Sequence, residues 1–187
     1  DSVQCLLVKE GGSRALAPLV VYGREMEIDV AEDATELLAR LDLFIAHQPI
    51  QQLEFECSPG LKLFGWSGVK VHDWQERDNH VFLDLAEPLV GSAQITVRAL
   101  APGPIEGQWK LPRLEIAHGH WTGGQTRVRS VAGLNLYDPQ VTAGRVVSVQ
   151  ELTSTRPDLI VEHSAPDAGF TVRASADVPQ VFARVHS

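Results

Sequence analysis

From residue 50 onward the apolar residues of this chain recur at every second position, and that period limits the fold more than any other feature. Leu53, Phe55 and Cys57 alternate with Gln52, Glu54 and Glu56; Val81, Leu83 and Leu85 with Phe82 and Asp84; Ile95, Val97 and Ala99 with Thr96 and Arg98. Side chains on a strand point to opposite faces in turn, so each set reads as a strand with one buried face. Turn formers separate the sets: Ser58-Pro59-Gly60, Arg77-Asp78-Asn79, Glu87-Pro88, Pro102-Gly103-Pro104 and Gly123-Gly124. The pattern continues through Gly144–Gln150, Leu159–Val161, Phe170–Ala174 and Val181–Val185. Short strands at this spacing predict an all-β chain, an antiparallel β-sandwich built as one large sandwich or two small packed β domains. We treat residues 1–187 as one module, with a candidate sub-boundary near 136–144.

One segment carries two periods. Asp33-Ala-Thr-Glu36 reads as a capping box, and Leu37, Leu38, Leu41, Phe44 and Ile45 recur at helical spacing. Yet Leu37, Ala39, Leu41, Leu43 and Ile45 also alternate with Arg40 and Asp42, after a strand-like Met26–Val30 and before Gln48-Pro49, a turn into the next strand. The strand reading is preferred.

With 44% hydrophobic and 21% charged residues among 187, the chain is a globular piece rather than a disordered one. A formal charge of −8 gives nucleic acid and anionic membranes no general attraction, so neither is an expected partner. Insertion into a membrane is not expected either: the longest apolar candidate, Leu37–Ala46, is broken by Arg40 and Asp42 and falls short of the ~20 residues a helix needs to span a bilayer. The chain opens at Asp1 and reads as an excised part of a larger protein. Cys5 and Cys57 share the parity of apolar neighbours and should point inward, either bridged in an exported protein or as two buried thiols.

The run Pro49–Leu63, then Trp74, then Val81–Gly91 and Ile95–Arg98 resembles modules of very large envelope proteins of planctomycete-type bacteria. Such modules run strand, Pro-Gly-Leu, strand, Trp, strand, Pro-x-x-Gly, strand. The resemblance covers mainly residues 35–136. It implies an exported β-rich scaffold in the cell envelope or outside the cell, it supports strand over 37–46, and it carries no catalytic residue to transfer.

No nucleophile elbow, phosphate loop, dinucleotide fingerprint, His-Glu-x-x-His or Cys-x-x-Cys occurs, so no catalytic residues, metal ligands or cofactor are assigned. The most suggestive stretch is His118-Gly-His-Trp-Thr-Gly-Gly124. With Gly123-Gly124 as a two-residue hairpin turn, His120 would face Arg127 and His118 would face Arg129, placing two imidazoles and two guanidinium groups on one face. Paired arginines repel a divalent cation, so such a face suits an anion or an acidic glycan better than zinc. His118, His120, Arg127 and Arg129, with Trp121, are therefore the candidate ligand-binding residues, weighed against an ordinary solvated face with Trp121 packed inward. His72, Asp73, Glu76, Asp78 and His80 could supply calcium ligands, but they match no EF-hand spacing and read better as a solvated turn. Trp66, Trp74, Trp109 and Trp121 form either a sugar-stacking platform or core plugs. The sequence points to a non-catalytic structural or interaction module that meets other domains of its parent protein or envelope components. The alternative is a carbohydrate-binding module of a secreted enzyme, taking an acidic glycan.

Overall fold

The computed structural model describes residues 16–104, 107–131, 134–150, 158–166 and 169–176. Among them the regular elements are twelve strands: β1 (Leu19–Val30), β2 (Ala34–Cys57), β3 (Lys62–Ser67), β4 (Val71–Arg77), β5 (His80–Pro102), β6 (Gly107–Lys110), β7 (Leu114–Ile116), β8 (His120–Ser130), β9 (Leu134–Val141), β10 (Gly144–Gln150), β11 (Asp158–His163) and β12 (Phe170–Ala176). Cys5 and the segment Val181–Val185 lie outside the described residues.

The ambiguous segment is strand, and the reason is energetic. Along β2 the residues Leu37, Ala39, Leu41, Leu43 and Ile45 are buried, while Phe44 stands 52% exposed. A helix would have gathered Leu37, Leu38, Leu41, Phe44 and Ile45 on one side. Each large side chain buried by the strand contributes ~1.5–3 kcal/mol. A capping box at Asp33–Glu36 contributes only ~1 kcal/mol, so burial decides the outcome.

β2 and β5 are long, at 24 and 23 residues, because they pass through two points that the sequence marks as turns. Gln48-Pro49 and Glu87-Pro88 lie inside these strands rather than between strands. There the pairing slips from Ile45↔Gly91 to Ile50↔Leu89 and Gln52↔Asp84, with His47 and Gly91 at positive φ. A proline lacks the N–H a ladder needs, so it is tolerated where the ladder is already interrupted, and the strand kinks instead of ending. Asp78-Asn79 does form a turn: both residues have positive φ, the requirement of a type I′ turn between β4 and β5.

On either side of the kinks β2 and β5 belong to different parts of a nine-stranded sheet. Their outer halves continue the order β10-β11-β8-β1-β2-β5-β3, and their other halves carry β7 and β4. A second sheet runs β6-β12-β9. The inward residues of all three parts, including Val97, Leu53, Leu83 and Val172, join one hydrophobic core. Arg24 on β1 donates a hydrogen bond to the carbonyl of Leu114 on β7, so these two parts face each other across the core. Opposite, Lys62 on β3 pairs with Glu76 on β4, and Trp66 meets Trp74 edge-on with ring centroids 5.7 Å apart. The result is an all-β, sandwich-like fold. It is not wholly antiparallel, because β1 and β8 run parallel.

Cys57 is a free, buried thiol, and burial first, then the carboxylates of Glu76 and Glu56, push its pKa up to about 12. It behaves as core rather than as a nucleophile.

Candidate functional site

The hairpin expected at Gly123-Gly124 is not formed. β8 runs unbroken through both glycines, parallel to β1 on one side and antiparallel to β11 on the other. A type I′ hairpin needs positive φ at both central residues, and of the two only Gly123 has it. Two full-length neighbours also satisfy more backbone groups than a hairpin would. The extra residue is absorbed as a bulge at Thr122, whose hydroxyl donates to the Tyr22 carbonyl at 2.9 Å.

The candidate residues are therefore distributed differently from the expected face. His118, at φ 60°, sits in the turn after β7, and His120 is exposed at the start of β8. Arg127 and Arg129 lie further along the same strand on its outer side, opposite in parity to the buried Thr126, Val128 and Ser130. Seven residues of strand place His120 and Arg127 roughly 20 Å apart, so they are not cross-strand partners. Arg129 faces Glu27 at 3.4 Å and Asp29 at 4.0 Å. Trp121 points the other way and packs against the core.

What Trp121 builds there is a cluster joining the two parts of the large sheet. Its ring meets Tyr22 edge-on at 5.3 Å, and the Arg24 guanidinium lies 5.2 Å from its centroid. Two glycines of the stretch, Gly119 and Gly124, serve this packing. A Cβ on Gly119 would lie 2.7 Å from the Tyr22 ring, and one on Gly124 would collide with the Trp121 ring and the Arg24 carbonyl. Across β1, β8 and β11 the paired positions Arg24, Gly124 and His163 form one row, with no side chain at the middle position. His163 Nε2 lies 2.8 Å from Thr126 Oγ1.

Burial governs the charges in this cluster. It lowers the pKa of Arg24 below its ordinary value, with attraction to Tyr22 and Glu115 opposing. Burial, then the nearby Arg24 charge, lowers His163 to about 4, so its ring is neutral at pH 7. Burial and Glu115 raise Tyr22. Sequence reading passed over Arg24 and His163. The signal for Arg24 was its parity: it interrupts the inward set Val20, Tyr22, Met26, Ile28 and Val30. His163 offered none, because its partners come from β8 and β1.

The second histidine-rich stretch has ordinary surface contacts. His80 Nδ1 lies 2.8 Å from Glu54, Glu76 pairs with Lys62, and Asp73 accepts from the Trp74 backbone N–H. Among the described residues no group of three or more His, Cys, Asp or Glu side chains could hold a metal ion. The tryptophans do not form one platform. Trp66, Trp109 and Trp121 are partly buried against the core at separate places, and Trp74 is 43% exposed beside Trp66.

Trp109 borders an open groove of about 380 Å³. The groove lies between the Ser58-Pro59 turn, the end of β5 at Ala101–Gly103, and the segment Gln108–Arg113. Ser58 and Arg113 lock its two banks together through reciprocal contacts: Arg113 N–H donates to Ser58 Oγ at 2.7 Å and Ser58 N–H donates to the Arg113 carbonyl at 3.0 Å. The groove's volume lies at the lower end of the range of small-ligand clefts.

No family model and no curated protein matches the sequence. Solved structures do share the fold. A two-domain M1 zinc metallopeptidase, an E323A mutant bound to L-tryptophan, superposes with a TM-score of 0.56 at 14% identity, over 87% of this chain and 43% of that one. An M1 zinc metallopeptidase from Deinococcus radiodurans, the E323A mutant bound to a Tyr-Ser-Ala substrate, gives 0.56 at 15%, over 83% and 42%. The likeness is one of fold, and this chain spans less than half the length of those it matches.

Proposed function

We propose that this chain is a non-catalytic interaction module of a larger exported bacterial protein, in which it meets other domains of its parent or components of the envelope. The observation that carries this reading is the use made of the residues best suited to chemistry. Tyr22, Trp121 and His163 are engaged in contacts between the neighbouring strands β1, β8 and β11, Arg24 also reaches Leu114 on β7, and the Cys57 thiol is held protonated. That a similar fold makes up less than half of a two-domain zinc metallopeptidase supports the reading of a module that works beside another part. The envelope location rests on the resemblance of residues 35–136 to planctomycete-type modules. The glycan alternative loses its four-residue face, and outward-facing Arg127 is what remains of it.

The experiment is a zinc titration by calorimetry together with an assay on a fluorogenic aminoacyl amide at equimolar zinc. The expected result is no stoichiometric zinc binding and no turnover above the rate of zinc alone. Turnover abolished by a chelator and by His118→Ala or His120→Ala would overturn the reading.

A further inference from the structure

β4 is an edge strand whose sequence is complementary to itself. It pairs with β5 on one side, and among the described residues no strand lies along its other side. His72 to Arg77 are all exposed. The Asp78-Asn79 turn fixes which backbone groups face the open side. In a two-residue hairpin the flanking residues, here Arg77 and His80, exchange both backbone hydrogen bonds, and bonded and non-bonded pairs then alternate along the ladder. Arg77, Gln75 and Asp73 therefore turn their N–H and C=O groups toward β5, while Trp74 and Glu76 turn theirs outward. In agreement, the Trp74 N–H donates to Asp73 Oδ1 at 2.8 Å, a local side-chain partner. Outward groups of this kind are a template for another strand.

Among the described edge strands β4 alone carries charges of both signs on one face, Asp73 and Arg77. A second copy of β4 laid antiparallel about a twofold axis at Gln75 sets Asp73 against Arg77 of that copy, and Arg77 against its Asp73. Trp74 then meets Glu76 as a pair that exchanges backbone hydrogen bonds, which their outward groups require. Shifting the pairing by one residue would oppose an outward group to one already used by β5. An axis at Trp74 keeps the bonding but sets Val71 against Arg77, and it opposes His72 to Glu76, whose carboxylate is already held by Lys62.

We propose that the chain forms a symmetric dimer in which the β4 edges of two copies pair antiparallel about Gln75, with Asp73 of each copy facing Arg77 of the other. The nine-stranded sheet continues across the axis. Arg77 gives up only an exposed contact with Asp78 at 3.5 Å, of a kind worth little. This rests on the reading of the chain as an interaction module and adds a second copy of the chain to its partners.

The test is sedimentation equilibrium of the intact chain, with nuclear Overhauser contacts between isotope-labelled and unlabelled copies. A concentration-dependent dimer is expected, with Hα contacts from Asp73 of one copy to Arg77 of the other. Asp73→Arg alone and Arg77→Asp alone should each weaken the dimer at least about tenfold, because like charges then stand directly opposite at both pairs. The double variant Asp73→Arg with Arg77→Asp opposes unlike charges again and should return the affinity to within about threefold. Both positions are exposed, so the variants keep the fold, which their thermal unfolding checks. A chain that stays monomeric at millimolar concentration would overturn the proposal. So would a dimer indifferent to the single variants, a double variant no better than the singles, or intermolecular contacts in another register. None of these outcomes involves zinc or turnover, so failure here is separable from failure of the non-catalytic reading.

Discussion

Trp121 and Trp109 are both partly buried tryptophans on strands, and both lie near arginine and glycine, yet one closes the molecule and the other borders an opening. Around Trp121 the neighbours are Tyr22 at 5.3 Å and Arg24 at 5.2 Å, with Gly119 and Gly124 giving room for the rings. Around Trp109 the neighbours are prolines that cannot pair and an exposed lysine. The identity of an aromatic residue therefore says little about its task. What decides is whether the backbone beside it is cut back by glycine, which draws the ring in, or stiffened by proline, which leaves a trough.

The contrast can be broken most forcefully at Trp121. Trp121→Ala should cost about 4 kcal/mol by denaturant unfolding, because it removes a ring joined to Tyr22 and Arg24 and leaves a cavity between the sheet parts. A loss below about 1 kcal/mol would mean that the ring is not a joint.

Acid tests the same cluster without mutation. His163 has an ordinary pKa of 6.5 in the unfolded chain and about 4 when folded. The unfolded state therefore binds more protons between those values. The stability contributed by keeping the ring neutral is fully present above pH 6.5 and is lost as pH falls toward 4, by roughly 3 kcal/mol over the window. His163→Gln should flatten that part of the stability profile, and a slope unchanged in the variant would assign the acid sensitivity elsewhere.

Trp109→Ala should cost about 1 kcal/mol, because part of its ring already meets solvent in the groove. Equal losses at Trp109 and Trp121 would erase the comparison. The smallest effect is expected at Arg24. Replacing a buried cation by an apolar chain of similar length removes a desolvation cost as well as its contacts, so Arg24→Met should change stability by less than about 1 kcal/mol. A loss near 3 kcal/mol would make the guanidinium a net stabiliser.

The inward residues of β2, β5 and β8 were legible in the sequence because a period of two survives any choice of partner strand. Leu37 to Ile45 is the clear case, since one parity is buried whatever pairs with it. Turns were legible only where the backbone demanded them. Asp78-Asn79 reads correctly because both residues accept positive φ, whereas Gln48-Pro49 and Glu87-Pro88 carry the same vocabulary and only kink their strands. Whether a proline ends a strand depends on what lies across the ladder, which the local sequence does not contain. The same limit explains His118 to Arg129. Gly123-Gly124 fits a hairpin locally, but β8 lies between β1, about a hundred residues earlier, and β11, about 35 residues later. The Trp109 groove joins the Ser58-Pro59 turn to residues 101–113; the sequence shows the turns and the tryptophan, but not that they meet.

The His-Gly-His-Trp stretch belongs to the strand framework, not to a cationic hairpin face. Interstrand nuclear Overhauser contacts at Thr126 test it most directly. The structure predicts contacts from Thr126 to Met26 on one side and to Val161 on the other. Contacts instead from Thr126 to Trp121, and from Arg127 to His120, would restore the hairpin with its four-residue cationic face and contradict the account.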